Sequence, residues 1–145
     1  MPSDVCPVRS ITPFLATRDV SATIEFYTTR LGFRVELLHP RDNPTLVFLD
    51  AIDPTTGSRA GTLVFASNLW RSEPTMTGQL LLDFGPQGDG PSRVLAMFER
   101  IRPHVLVEWG PEVYGYGRRE FSFKDCNGYS VVLSESTVDP PTCDE

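Results

Sequence analysis

The side chains that could hold a metal ion or act as nucleophiles are few in this chain of 145 residues. Its two histidines are His39 and His104, and its three cysteines are Cys6, Cys126 and Cys143. A transition-metal site needs several such ligands that converge on one point. Both histidines fall at the ends of predicted elements, and the cysteines are odd in number and widely spaced. These residues therefore predict neither a metal centre nor a disulfide framework, and Cys126 is interpreted as part of a turn.

Carboxylates offer the other route to chemistry. Glu120 and Asp83 lie on predicted strands, and either could act as a general base if it pointed into an apolar pocket. Glu120 has a second interpretation, because strand alternation sends Arg119 and Glu120 to opposite faces of the sheet. One of the two charges would then be buried in an ion pair that braces the strand. The sequence leaves both interpretations open.

The elements that must position these residues occur in one order, strand-helix-strand-strand-strand, which repeats after roughly 70 residues. The first module, about residues 8–67, is predicted to contain strands 8–17, 33–39, 45–50 and 61–67 and a helix over 21–31. The second, about residues 78–136, is predicted to contain strands 78–84, 104–109, 117–124 and 128–135 and a helix over 91–101. We interpret the whole chain, residues 1–145, as one domain built from two half-modules.

Local signals fix the ends of these elements. The first helix has an apolar stripe at helical spacing, formed by Val20, Ile24, Tyr27 and Leu31. Ser21 is predicted as its N-cap and Gly32 as its stop. Asp125 to Gly128 predicts a tight turn, with Asn127-Gly128 suited to positive φ. The Pro- and acid-rich tail from Val138 is predicted to fray.

Two motifs, about a hundred residues apart, resemble those of a known superfamily. The first is a strand followed by Arg18-Asp19 and Ser21, a helix containing Phe26-Tyr27, and Leu31-Gly32-Phe33. The second runs from Gly117 through Arg119-Glu120-Phe121 to Asp125 and Gly128. Together they resemble the vicinal oxygen chelate superfamily, and within it the glyoxalase/bleomycin-resistance group. The resemblance covers about residues 8–137 and implies an α+β fold, in which two βαβββ modules form an open, barrel-like sheet around a concave ligand cavity.

The resemblance also implies where a metal would be held. Metal-dependent members place His, Gln or Glu ligands on the first and last strands of each module. Matched through the motifs, those positions fall at Thr12, Gln79 and Val132, with Phe65 (or Leu63) as the fourth. Valine and phenylalanine cannot ligate, and one neutral amide does not hold a divalent cation. We therefore expect no metal and no cofactor.

What remains is a binding cavity without assigned catalytic residues. Aromatic walls with a few polar groups suit a flat or amphipathic small molecule. The same side chains could instead be ordinary core. The predicted cavity wall consists of Thr12, Phe14, Phe48, Phe65, Gln79, Leu81, Trp109, Tyr114, Tyr116, Glu120 and Val132.

The function expected from the resemblance is metal-independent binding and sequestration of a small, antibiotic-type molecule, as in bleomycin-resistance proteins, which form homodimers. The alternatives are a glyoxalase- or dioxygenase-like enzyme, with or without a metal, and a regulatory protein that uses a sheet edge or dimer face. A net charge of −6 argues against a nucleic-acid partner. The chain has no apolar run long enough to span a membrane and no recognisable signal peptide, so we expect a cytoplasmic protein without a membrane partner.

Overall fold

Each half of the chain folds as a four-stranded sheet with one helix against it. The computed structural model describes residues 8–68 and 73–143 and divides into two compact units, Met1–Glu73 and Pro74–Glu145. The fold class is therefore α+β, as predicted, with two separate sheets and no closed barrel among the described residues. No helix in these two ranges is long and apolar enough to cross a membrane.

The first unit has the sheet order β1-β4-β3-β2. Its elements are β1 (Phe14–Ala16), α1 (Val20–Leu31), β2 (Arg34–His39), β3 (Leu46–Ile52) and β4 (Arg59–Ala66). β1 pairs parallel with β4, and the other two pairings are antiparallel. The predicted first strand was too long, because only three residues of 8–17 join the sheet.

The second unit repeats this arrangement with the order β5-β8-β7-β6. Its elements are β5 (Leu80–Pro86), α2 (Arg93–Ile101), β6 (Leu106–Tyr114), β7 (Arg118–Lys124) and β8 (Ser130–Ser136). β5 pairs parallel with β8, and β7 lies antiparallel between β8 and β6. The repeated element order predicted from the sequence is present in both units.

The helix of each unit covers one face of its sheet. In the first unit Tyr27 of α1 is fully buried, and its ring lies 5.1 Å from that of Phe65 on β4. In the second unit the rings of Phe98 on α2 and Phe121 on β7 lie 5.3 Å apart. We call the face of each sheet that packs against its helix the helix face, and the opposite face the helix-free face. Phe65 and Phe121 lie on the helix faces, and because successive strand residues point to opposite faces, the other strand residues are assigned from them and from the strand pairing.

Capping decides where α1 begins and ends. Gly32 ends it as predicted, in the left-handed conformation with φ of 72°. Ser21 is not the N-cap, because Asp19 takes that position and its carboxylate accepts a hydrogen bond of 2.9 Å from the Ala22 amide. The predicted stripe also missed Thr23, which is fully buried and bonds to the Thr17 hydroxyl at 2.9 Å.

Hydrogen bonds fix the turn between β7 and β8 and attach the described part of the tail to β6. Gly128 has the positive φ expected of its turn, at 86°, whereas Asn127 does not. The Asp125 carboxylate accepts hydrogen bonds from the amides of Asn127 and Tyr129, each at 2.8 Å. The prediction that the tail frays was wrong for its described part. The Thr142 amide donates to the Val113 carbonyl of edge strand β6 at 2.9 Å.

Candidate functional site

Seven of the predicted wall residues lie in the second unit, and all seven belong to its helix-free face. Trp109 pairs across the ladder with Ser122, and Ser122 pairs in turn with Val132 on β8. Leu81 lies beside Val132 on the parallel strand β5. The remaining four reach the same face through the contacts described below: Gln79, Tyr114, Tyr116 and Glu120.

Three aromatic rings form a continuous row on this face. The rings of Trp109 and Tyr114 meet edge to face at 5.7 Å, and those of Tyr114 and Tyr116 stack at 5.8 Å with only 9° between their planes. Tyr116 is 63% exposed although its ring is held in place. A fixed, solvent-facing aromatic surface is suited to stacking against a planar molecule, because little conformational entropy is lost on binding.

Glu120 anchors this aromatic row from inside the sheet. Its residue is only 3% exposed. One carboxylate oxygen accepts a hydrogen bond from the Tyr116 hydroxyl, and the other accepts one from the Ser134 hydroxyl at 2.7 Å. Desolvation, with the hydrogen bond to Glu120, raises the pKa of Tyr116 to about 12. The phenol therefore stays protonated at neutral pH and keeps its orientation.

A second polar network runs around Val132. The Gln79 amide nitrogen donates to the Ser122 hydroxyl at 3.0 Å, and that hydroxyl donates to the Glu108 carboxylate at 2.9 Å. Lys124 lies 3.4 Å from the other Glu108 oxygen. Desolvation raises the pKa of Glu108, but hydrogen bonds from serines and Lys124 outweigh it, so the pKa lies below its ordinary value.

The geometry does not favour Asp83 or Glu120 as a general base. Asp83 is half-exposed and forms a 2.5 Å ion pair with Arg118, whose guanidinium also donates to Ser134 at 2.6 Å. Glu120 is buried, but two hydroxyls occupy its oxygens and Arg118 lies 3.8 Å away. A carboxylate already saturated with donors is a poor acceptor for a substrate proton.

The ion-pair interpretation of Arg119 and Glu120 agrees with the structure at Arg119. The two side chains do point to opposite faces, and both residues are buried. Arg119 forms the bracing ion pair, with its guanidinium 3.0 Å from the Glu135 carboxylate on the helix face. Glu120 supports the aromatic row on the other face, which the sequence did not predict.

The first unit places two of its four predicted wall residues, Phe14 and Phe48, on the helix-free face. Phe14 pairs with Val64 and Val64 with Phe48, which puts all three on the helix-free face. Thr12 is exposed and precedes β1 by two residues. The assignment of Phe65 to the wall is wrong, because Phe65 is fully buried against Tyr27 of α1. Its alternative, Leu63, shares that helix face.

The donor set does not fit the metal that the superfamily fold implies. Correcting the face moves the fourth ligand position from Phe65 to Val64, which is equally unable to ligate, and Val132 offers no donor. The Gln79 amide nitrogen donates to Ser122, and the remaining neutral amide oxygen does not hold a divalent cation by itself. His39 and His104 are exposed and lie at the end of β2 and in a short turn after α2. Within the described ranges no three His, Cys, Asp or Glu residues are grouped to hold a metal ion.

Sequence reasoning missed several polar residues of these faces. Ser122 and Lys124 share the parity of Glu120 on β7, so alternation could have identified them. Glu108 could not be assigned in this way, because register shifts on either side of Trp109 break the alternation of β6. Asp50 on β3 and Thr142 in the tail gave no sequence signal.

Comparison with known proteins agrees with this architecture. The family model described as Glyoxalase/Bleomycin resistance protein/Dioxygenase superfamily matches residues 10–133. A search of curated proteins found no significant match.

Three solved structures illustrate the similarity. TnmS3, an antibiotic binding protein from Streptomyces sp. CB03234, has 20% identity and a TM-score of 0.67, covering 93% of this chain and 99% of that one. A glyoxalase/bleomycin resistance protein/dioxygenase superfamily member from Sphaerobacter thermophilus DSM 20745 has 17% identity and a TM-score of 0.66, covering 90% and 98%. A lactoylglutathione lyase from Agrobacterium tumefaciens has 20% identity and a TM-score of 0.60, covering 90% and 96%. At these identities the structures show a shared fold, and with the family match over most of its length the chain belongs to the glyoxalase/bleomycin resistance protein/dioxygenase superfamily.

Proposed function

We propose that this protein binds a small organic molecule on the helix-free face of a sheet and sequesters it without metal-dependent chemistry. The observation that carries the proposal is the row Trp109–Tyr114–Tyr116, whose last ring is exposed yet fixed by Glu120. Such a row adds stacking energy of about 0.5–1.5 kcal/mol per ring pair to the burial of apolar area. The ligand is therefore a planar or amphipathic molecule of the antibiotic type.

The similarity to TnmS3 supports sequestration over catalysis. That structure is described as an antibiotic binding protein, whereas the lactoylglutathione lyase represents the enzymatic alternative. The donors that such an enzyme would use for a metal are replaced here by Val64 and Val132. Hydroxyl or cationic partners occupy the carboxylates of Asp83, Glu108 and Glu120, which also disfavours a metal-free base. We further propose that the protein is a homodimer, as the resemblance implies, and that it is located in the cytoplasm.

The test is a ligand screen followed by recovery of the ligand. Purified protein is screened by thermal shift against planar natural-product scaffolds, and each hit is measured by calorimetry. The Tyr116→Ala variant is expected to bind about tenfold more weakly. Leu95→Ala, an exposed apolar position on α2, is the matched control and is expected to bind normally.

Mass spectrometry of the recovered ligand separates the two functions. An unaltered ligand after prolonged incubation supports sequestration, and a converted ligand shows an enzyme. Sizing of the same sample by light scattering tests the dimer. The proposal fails if no hit depends on Tyr116.

A further inference from the structure

Asp50 is a buried carboxylate whose partners are unusually few. It lies on β3 in the first unit, its residue is 6% exposed, and its position on the helix-free face follows from its ladder partner Thr62. The Thr62 hydroxyl donates to one carboxylate oxygen at 2.6 Å. In the described ranges the other oxygen has no hydrogen-bond partner, and no cationic side chain lies within ion-pair distance.

The other buried carboxylates of the described chain are treated differently. Glu120 accepts from two hydroxyls, and Asp125 accepts from two backbone amides. Glu135 accepts from Ser92, the Arg93 amide and the Arg119 guanidinium. Burying a carboxylate without such compensation is costly, so within residues 8–68 and 73–143 Asp50 lacks a partner that its environment calls for.

The neighbouring arginine does not supply that partner. Arg34 is the direct cross-strand neighbour of Asp50 on β2, at a separation where opposite charges commonly pair. It is exposed, and no ion pair joins the two side chains in the structure. The second oxygen of Asp50 is not sealed off either, since every fully buried side-chain polar atom among the described residues has a partner. It therefore keeps some solvent-exposed surface.

An apolar row lies directly beside this carboxylate. Ladder pairing connects one residue from each strand across the whole sheet, namely Phe14, Val64, Phe48 and Leu37. Phe48 precedes Asp50 by two residues on the same strand face, a separation of about 6.5 Å. Phe14 at one end of the row is 52% exposed. The face thus combines apolar surface with an uncompensated negative charge.

We propose that Asp50 binds the cationic nitrogen group of an organic ligand, an amine, amidine or guanidine, on the helix-free face of the first sheet, while the adjacent row contacts the apolar body of that ligand. This assignment rests on the proposed binding function and names the class of ligand: an amphipathic organic cation. The acidic chain, with its net charge of −6, complements such a molecule.

Benzamidinium and neutral benzamide form a matched pair of probes, since both carry a phenyl ring and they differ mainly in charge. Binding to ¹⁵N-labelled protein is followed by NMR titration up to about 10 mM. Benzamidinium is expected to shift the amide resonances of Asp50 and Thr62 and to bind more tightly than benzamide. In Asp50→Asn, which keeps an acceptor for Thr62, benzamidinium affinity is expected to fall about tenfold or more.

Glu36→Gln is the control, because it removes one exposed carboxylate from the neighbouring strand β2. Circular dichroism and melting curves establish that each variant is folded. The assignment is overturned if the wild type shows no preference for benzamidinium, including no binding of either probe. It is also overturned if Glu36→Gln weakens binding as much as Asp50→Asn does. A neutral ligand that requires Tyr116 but not Asp50 would leave the proposed function standing and remove only this inference.

Discussion

The guanidinium of Arg119 and the carboxylate of Glu135 meet at 3.0 Å on the helix face of the second sheet, where Glu135 is fully buried. Glu135 also accepts from the Ser92 hydroxyl at 2.5 Å and from the Arg93 amide at 3.0 Å. One carboxylate therefore joins β7, β8 and the N-terminus of α2, where the helix dipole favours a negative charge.

Removing this carboxylate should destabilise the protein severely. Glu135→Ala removes the acceptor of the Ser92 hydroxyl and the Arg93 amide and leaves the Arg119 guanidinium with its partners Gln87 and Asp139 alone, so the free energy of unfolding is expected to fall by about 3 kcal/mol. Glu135→Gln keeps the shape and should lose about half as much. Urea unfolding measures both, with the exposed pair member Glu99→Gln as control. If Glu135→Ala lowers the free energy of unfolding by less than about 1 kcal/mol, Glu135 does not hold β7, β8 and α2 together.

The sequence predicted the elements well and the side-chain networks poorly, for identifiable reasons. Periodicity and the Gly32 stop are local signals, so both helices and the order of elements along the chain followed from them. The N-cap was misassigned because Asp19 and Ser21 are both good caps, and only the bond to Ala22 decides between them. Phe65 was assigned to the wrong face because a one-residue error in strand parity reverses the direction of the side chain. The pairings of Arg119 and Thr142 join segments distant in the chain, and no local pattern encodes them.

Position 110 on β6 must be glycine because the backbone of β7 lies too close to leave room for a side chain. It has φ of 79°, and a Cβ atom there would lie 2.4 Å from the Glu120 carbonyl oxygen. Gly110→Ala is therefore expected to lower the free energy of unfolding by about 2–4 kcal/mol. It should also change the fluorescence of the neighbouring Trp109. Gly61→Ala is the control, since its Cβ would meet nothing within 4 Å. Equal stability of the two variants would show that this approach is not tight.

The phenol of Tyr116 should titrate later than an ordinary tyrosine. Its pKa is raised to about 12, so the hydrogen bond to Glu120 contributes stability that is present below about pH 10 and is lost as pH rises towards 12. Absorbance of tyrosinate at alkaline pH is expected to show a late step that disappears in Tyr116→Phe. The same variant should lose about 1 kcal/mol of unfolding free energy at pH 7. A titration curve unchanged by the substitution would contradict the bond.

The tail should protect the edge of β6. The Val113 amide donates to the Thr142 hydroxyl at 2.8 Å, and that hydroxyl also donates to the Glu112 carboxylate. Hydrogen exchange measured by NMR is expected to speed up at Val113 in Thr142→Val, because that variant has no acceptor. Thr142→Ser keeps the hydroxyl and should retain slow exchange. If both variants exchange at the wild-type rate, the tail does not hold this edge in solution.

Protonation of Glu108 in acid should weaken the hydrogen-bond network that joins Gln79, Ser122, Glu108 and Lys124. The pKa of Glu108 is lowered in the folded protein, so its contribution is fully present above the ordinary glutamate value of about 4.3 and is lost as pH falls below it. The carboxylate is partly exposed to solvent, so this contribution is about 0.5–1 kcal/mol. Glu108→Gln is expected to be less stable than the wild type at pH 7, and the difference is expected to be smaller near pH 3. Urea unfolding at both values tests this, and a stability difference that persists undiminished in acid would mean that the glutamate acts through packing and not through its charge.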